Sequence, residues 1–203
     1  MRATKELPAG YSKDYALSLK DNKRLLVWIN IASVPLLILF AFLFIYATRL
    51  LRPELWQRGI SGAFNLGQVA SLLLTFVLMI LLHEAVHGIF FGLYTRSMPK
   101  FGFKGAYAYA AAPGWYIPRN QYLVVGLAPF VLMSLVGLAI MPVVPFSWFP
   151  ALLLLLIFNA AGAIGDFLVV WKVASYPPDA FVLDLGDGFE VHIKETESTG
   201  VVA

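Results

Sequence analysis

The chain has 203 residues, 60% of them hydrophobic and only 13% charged, with a mean hydropathy of +0.76 and a net charge of +3. A soluble domain is nearer half apolar and about a quarter charged, so this composition excludes an ordinary soluble protein and indicates a polytopic membrane protein. Cysteine is absent, which excludes disulfides and thiolate metal sites, so any metal must be held by His, Asp, Glu or water.

Residues 1–24 are polar, with Arg2, Lys5, Lys13, Lys20, Lys23 and Arg24, and read as the cytoplasmic flank of a first span. No early apolar stretch or small-residue cleavage site marks a removable signal peptide. Leu25 to Thr48 is apolar and long enough to cross a bilayer with some tilt. Trp28 and Tyr46 suit its interfaces, and Pro35 is placed to kink it. Arg49 to Gly67 is a polar connection containing Arg52, Pro53, Glu54, Arg58, Gly59 and Gly62. Gln68 to about Leu93 is the second span.

Between Arg96 and Gln121 the pattern changes. Phe101, Phe103, Tyr107 and Tyr109 fall at even spacings, and Gly102, Gly105, Pro113 and Gly114 are turn or break signals. This predicts a short hairpin or re-entrant loop at the membrane surface, with Lys100, Lys104 and Arg119 facing headgroups. Such a segment is either an aromatic anchor or a strand edge that captures an unwound substrate by backbone pairing. Tyr122 to about Met141 is the third span, with Gly126, Pro129 and Gly137 allowing close packing or a kink. An uncharged link, residues 142–150, leads to a fourth span from Ala151 to about Ala174. That span holds Asn159 and Asp166, with Lys172 snorkelling from its end. Pro177 and Pro178 end the helix, and the sequence from Phe181 through Gly186-Asp187-Gly188 to Ile193 predicts a hairpin with His192 outward on the surface. Glu195 to Ala203 reads as a frayed tail. The predicted fold is therefore an all-α polytopic membrane protein of four transmembrane helices, with an interfacial β-hairpin or re-entrant loop and a small C-terminal β-hairpin. It divides into a cytoplasmic segment (1–24), a four-span membrane domain (25–175) and a cytoplasmic hairpin and tail (176–203).

With four spans, twelve of the fifteen Lys and Arg fall on one side, and only Arg49, Arg52 and Arg58 on the other. The positive-inside rule then places both termini in the cytoplasm of a multi-pass cell-membrane protein. The second and fourth spans both run inwards, so the later parts of each lie at similar depth.

In the later half of the second span stands His83-Glu84-Ala85-Val86-His87. Ionisable groups at the centre of a span cost on the order of 2.5–3.5 kcal/mol each for the charged types, so a partner is expected. His83 and His87 are four apart and share a helix face, as two ligands of one divalent metal do. Glu84 lies about 100° round the helix, within reach of a water on that metal. Of the twelve acidic residues only Glu84 and Asp166 fall within spans. A catalytic zinc takes three protein ligands and leaves one position open, which makes Asp166 the natural third ligand. The alternative for Asp166 is protonation or pairing with Lys172. Asn159 lies seven residues before Asp166, on nearly the same face. It either donates to a developing oxyanion or hydrogen-bonds between helices. Gly162 and Gly165 are expected to let this helix approach the motif helix closely.

A transmembrane HExxH followed two spans later by Asn and Asp on one face resembles the site-2 protease class of intramembrane zinc metalloproteases. The second element there usually reads Asn-x-x-Pro-x-x-x-Leu-Asp-Gly. Here Asn159 to Asp166 is one residue shorter, lacks the proline and is followed by Phe167. The whole chain is more similar to a bacterial zincin-peptidase family of small four-span proteins. The matching stretches are Leu7 to Tyr11, the HEAVHG block, Pro118 to Tyr122 with Leu127 to Phe130, Gly165-Asp166, and Gly186 to Phe189. The resemblance implies a metallopeptidase fold. With the motif and topology it leads to the expectation of zinc-dependent hydrolysis of a membrane protein or peptide at the cytoplasmic edge of the bilayer, with no nucleic acid as partner. His83, His87 and Asp166 would be the Zn²⁺ ligands and Glu84 the general base, with Asn159, Arg119 and Asn120 as candidates for substrate or oxyanion contacts. The competing expectations are a non-proteolytic metal carrier or sensor, which needs the ligands but not Glu84, and an inactive adaptor that binds transmembrane helices.

Overall fold

The computed structural model describes residues 1–18, 22–57, 66–103 and 107–195. Lys20, Arg58, Gly59, Gly62, Lys104, Gly105 and the predicted tail from 196 onward lie outside the described residues. Along the chain come β1 (Tyr11–Ser18), α1 (Lys23–Leu51), α2 (Glu54–Gln57), α3 (Leu66–Thr95), β2 (Lys100–Phe103), β3 (Ala108–Ala111), β4 (Tyr116–Pro118) and α4 (Arg119–Ile140). A single 3₁₀ turn over Phe146–Trp148 then leads into α5 (Phe149–Gly162), α6 (Ile164–Ala174), β5 (Phe181–Asp184) and β6 (Gly188–Lys194).

Among the described residues, four helical stretches are long and apolar enough to cross a membrane: α1, α3, α4 and the α5–α6 pair. The spans expected from sequence are present, each with ends within a few residues of those predicted. α1 starts where the Asn22 side chain accepts from the Leu25 N–H. α1 packs on α5, α3 on α4 and α5, and α4 on α5 and α6. Large side chains such as Ile38, Phe42, Leu73 and Leu81 stay on the outside of the bundle, as lipid-facing residues do. Phe44, Met141, Leu156 and Ile157 fill the core at one end. At the other end, Phe91, Tyr122, Val125, Val182 and Phe189 join helix ends to the sheet.

The two expected hairpins are present, as β2–β3 and β5–β6. The sheet that the second one joins is larger than anticipated. Its order is β1-β6-β5-β4, all antiparallel, so the N-terminal segment supplies one edge strand and the loop before α4 the other. β1 had no sequence signature beyond a polar flank. It is an edge strand, and the partner that organises it lies about 180 residues away (Tyr11 opposite Lys194). This pairing brings β1, before the first span, and β6, after the last, to one side of the bundle, as four spans require.

His192 departs from expectation. It is only 5% exposed, with Tyr116 edge-on to its ring at 5.1 Å and Glu190 Oε2 at 3.6 Å. β6 runs between β1 and β5, and the Tyr116 ring covers the face that a lone hairpin would leave to solvent. Burial holds the imidazole below the usual histidine range; Glu190 opposes this and Lys13 reinforces it.

The fourth span is interrupted only at Ala163 (φ −69°, ψ 6°), between α5 ending at Gly162 and α6 beginning at Ile164. The i→i−4 bonds from Ala163 N–H to the Asn159 carbonyl (3.2 Å) and from Phe167 N–H to the Ala163 carbonyl (2.9 Å) continue through it. Asp166 stands in the first turn of α6, its carboxylate against His83 and His87 of α3.

Candidate metal centre

On α3 the two motif imidazoles lie one turn apart, edge to face, with centroids 4.9 Å from each other. Both turn Nε2 towards the same carboxylate. Asp166 Oδ2 lies 3.1 Å from His83 Nε2, and Asp166 Oδ1 lies 3.4 Å from His87 Nε2. One donor atom from each of His83, His87 and Asp166 lies within 4.8 Å of the other two. Lys172, the rival partner for Asp166, instead sits over the rings of Tyr15 and Tyr176 at 4.2 and 5.1 Å.

The far side of each ring decides which nitrogen carries the proton. His87 Nδ1 is 2.9 Å from the Val125 carbonyl oxygen, which can only accept, so Nδ1 donates. His83 Nδ1 is 2.9 Å from Asn159 Oδ1, while the Asn159 amide donates to the Pro129 carbonyl at 3.3 Å. With its N–H₂ committed to Pro129, Asn159 presents its oxygen to His83, so this Nδ1 also donates. In the neutral rings both Nε2 lone pairs therefore face Asp166.

This donor set fits zinc. Tetrahedral ligands at about 2.0–2.1 Å from a common centre stand about 3.3–3.4 Å from one another. The His–Asp separations of 3.1 and 3.4 Å, each to a different Asp166 oxygen, are of this size, and the three donors together lie within 4.8 Å of one another. Two imidazoles held by outer-shell acceptors and one carboxylate form the three-ligand, open-position pattern of a catalytic site.

The donors face a cavity of about 410 Å³, which Glu84 also lines. β3 lies along α3 and forms one wall. The Ala110 backbone is within hydrogen-bonding reach of the Glu84 carboxylate. Gly88, the residue that completes HEAVHG, is where the β2–β3 hairpin lands. A Cβ there would collide with the Phe101 ring and meet Pro99 at 3.2 Å. Gly88 stands one turn beyond Glu84 on the same face, so the glycine lets the hairpin sit against this stretch of α3.

The sequence reading missed the C-terminal sheet's share in this cavity. Gly186, Gly188 and Phe189 line it together with Leu17 of β1. Gly186 has φ +79°, and a Cβ there would meet the Tyr109 ring at 2.8 Å, so both conformation and space require glycine. Tyr122, another lining residue, donates to the buried Asp184 at 2.7 Å, and the Gly186 N–H donates to the same carboxylate at 2.8 Å. Burial raises the Asp184 carboxyl to about 6 against these two hydrogen bonds. A polar residue at the end of Phe181–Asp184, just before a Gly-Asp-Gly turn, was the available signal.

Of the remaining candidates, Asn159 is fully buried behind His83 and outside the cavity lining. Arg119 donates from Nε to the Val173 carbonyl at 3.4 Å, from Nη2 to the Ala174 carbonyl, and from Nη1 to Asn120 Oδ1 at 2.9 Å. The structure therefore engages Arg119 and Asn120 at the C-terminal end of α6 and brings neither to the cavity wall.

No curated protein and no solved structure matches the chain significantly. A family model does match, over residues 76–181, just over half the length. Its bounds take in all of HEAVH, the β2–β3 hairpin, α4 and Asp166. The family is described as "putative zincin peptidase", and the chain, with its two motif histidines and a distant aspartate gathered on one point, belongs to it.

Proposed function

We propose that the protein is an intramembrane zinc metalloprotease that hydrolyses peptide bonds of membrane-associated substrates near the cytoplasmic face. The observation that carries this reading is the convergence of His83, His87 and Asp166, from two different spans, beside a cavity that also holds Glu84. Held by His83, His87 and Asp166, a zinc ion would polarise the scissile carbonyl as a Lewis acid and lower the pKa of a water bound there to about 7.

The chain's own residues do the rest. Asn159 and Val125 keep the Nδ1 protons in place, so that both Nε2 atoms remain donors. Glu84 takes a proton from the attacking water and passes it to the departing amine nitrogen. β3, at the cavity wall, offers backbone groups to a substrate segment that has unwound, since a helix hides its own peptide bonds. The apolar lining and the cap made by the C-terminal sheet limit water around the site, which strengthens each electrostatic contact inside.

Elemental analysis of purified wild type, His83→Ala and Asp166→Ala tests the reading. Wild type should carry about one zinc per chain and both variants should lose it. Equal metal content in all three removes the basis of the site.

A further inference from the structure

The fourth span carries two glycines beside Asp166, and neither serves the close helix approach expected of it. Close approach occurs elsewhere. A Cβ at Gly126 would meet Val170 at 2.7 Å, and one at Gly137 would collide with Leu156. A Cβ at Gly162 or Gly165 would meet nothing within 4 Å. The backbone does not demand glycine either, because neither residue is among those with positive φ. Glycine within a helix is less favourable than alanine, so packing and conformation both leave this choice unexplained.

The cavity explains it. Gly162 and Gly165 line the same space as His83, Glu84, His87 and Asp166, while Ala163 between them is fully buried in the protein. The bare backbone is thus turned to the cavity, and Gly165 immediately precedes the aspartate ligand. The lining around it is apolar, with Met79, Ile80, Leu168 and Val169. A volume of about 410 Å³ lies in the range of pockets that enclose small organic groups.

We propose that Gly162 and Gly165 form the wall of the subsite that receives an apolar substrate side chain next to the scissile bond, and that their missing side chains set the size accepted. This rests on the protease reading above. A large apolar side chain leaving the lipid would exchange one apolar surrounding for another here, while its peptide carbonyl would lie beside the metal position that Asp166, one residue on from Gly165, helps to form.

The chain has no cysteine, so Gly162→Cys and Gly165→Cys each introduce a single thiol into open space. The full zinc-loaded chain in detergent is treated with N-ethylmaleimide, and labelling is followed by mass spectrometry. Two protectants share a zinc-binding group: phenylalanine hydroxamate carries a large side chain and acetohydroxamate does not. Both thiols should label. Phenylalanine hydroxamate should slow labelling about tenfold or more, and acetohydroxamate less than about twofold. A second variant needs no thiol: Gly165→Ala should weaken phenylalanine hydroxamate about tenfold, a usual effect of one methyl group in a subsite, and leave acetohydroxamate nearly unchanged.

Three outcomes overturn the proposal. Thiols that do not label show a packed face. Labelling that persists while phenylalanine hydroxamate raises the melting temperature, with Gly165→Ala binding as wild type does, sends the side chain elsewhere. Absence of zinc and of any hydroxamate-induced shift in wild type removes the protease reading itself and this subsite with it.

Discussion

Asn159 offers the sharpest discrimination between two roles for one residue. It is fully buried, its Oδ1 holds the His83 Nδ1–H at 2.9 Å and its amide reaches the Pro129 carbonyl at 3.3 Å. Asn159→Ala removes both contacts. Interhelical hydrogen bonds in membranes average about 0.6 kcal/mol, so the fold should survive the lost Pro129 contact. The larger consequence falls on the metal. Outer-shell partners of a ligating histidine are worth about 10–100-fold in affinity, or about 1.4–2.8 kcal/mol. Zinc affinity, measured by competition with a graded series of chelators, should therefore fall 10–100-fold, while kcat at saturating zinc changes much less. Asn159→Asp keeps an acceptor on Nδ1 and should hold zinc at least as tightly as wild type. If Asn159 acted on the oxyanion, the pattern would reverse: zinc affinity would stay as in wild type and kcat would drop about 100–1,000-fold. That reversed result would refute the assignment of Asn159 as a positioning residue.

Other predictions follow from single contacts. Glu84→Gln should retain zinc, by elemental analysis, and lose turnover by about 10²–10⁴-fold; retained proteolysis would rule out Glu84 as the general base. Gly88→Leu should push the Phe101 ring and the β2–β3 hairpin off α3. Peptide cleavage should then drop by up to about 100-fold with zinc content unchanged, and adding Phe101→Ala should restore part of it; no recovery in the double variant would contradict hairpin displacement. His192 titrates below its ordinary range because it is buried, so the folded state binds fewer protons than the unfolded one. Its contribution to stability is present above the unfolded value of 6.5 and is lost as pH falls from there through the folded pKa. Glu190 at 3.6 Å moderates the effect and Lys13 adds to it. Thermal unfolding in detergent should show a fall below pH 6.5 that His192→Gln flattens, and an unchanged slope in that variant would assign the acid sensitivity to another group.

The spans and the motif were legible in the chain because their signals are local. A bilayer demands about twenty apolar residues in a row, and one helical turn brings His83 and His87 together wherever the helix lies. Asp166 could be chosen by elimination, since so few acidic residues fall within spans. What required the tertiary structure was everything carried by pairs distant in sequence. The partner of β1 lies about 180 residues away, the acceptors that orient the imidazoles come from Val125 and Asn159, and Asp184 is hydrogen-bonded by Tyr122 from a different element. Gly162 and Gly165 make the same point in reverse. Small residues in a span promise close packing by composition, but only the fold decides whether a neighbouring helix or an open cavity occupies the space beside them.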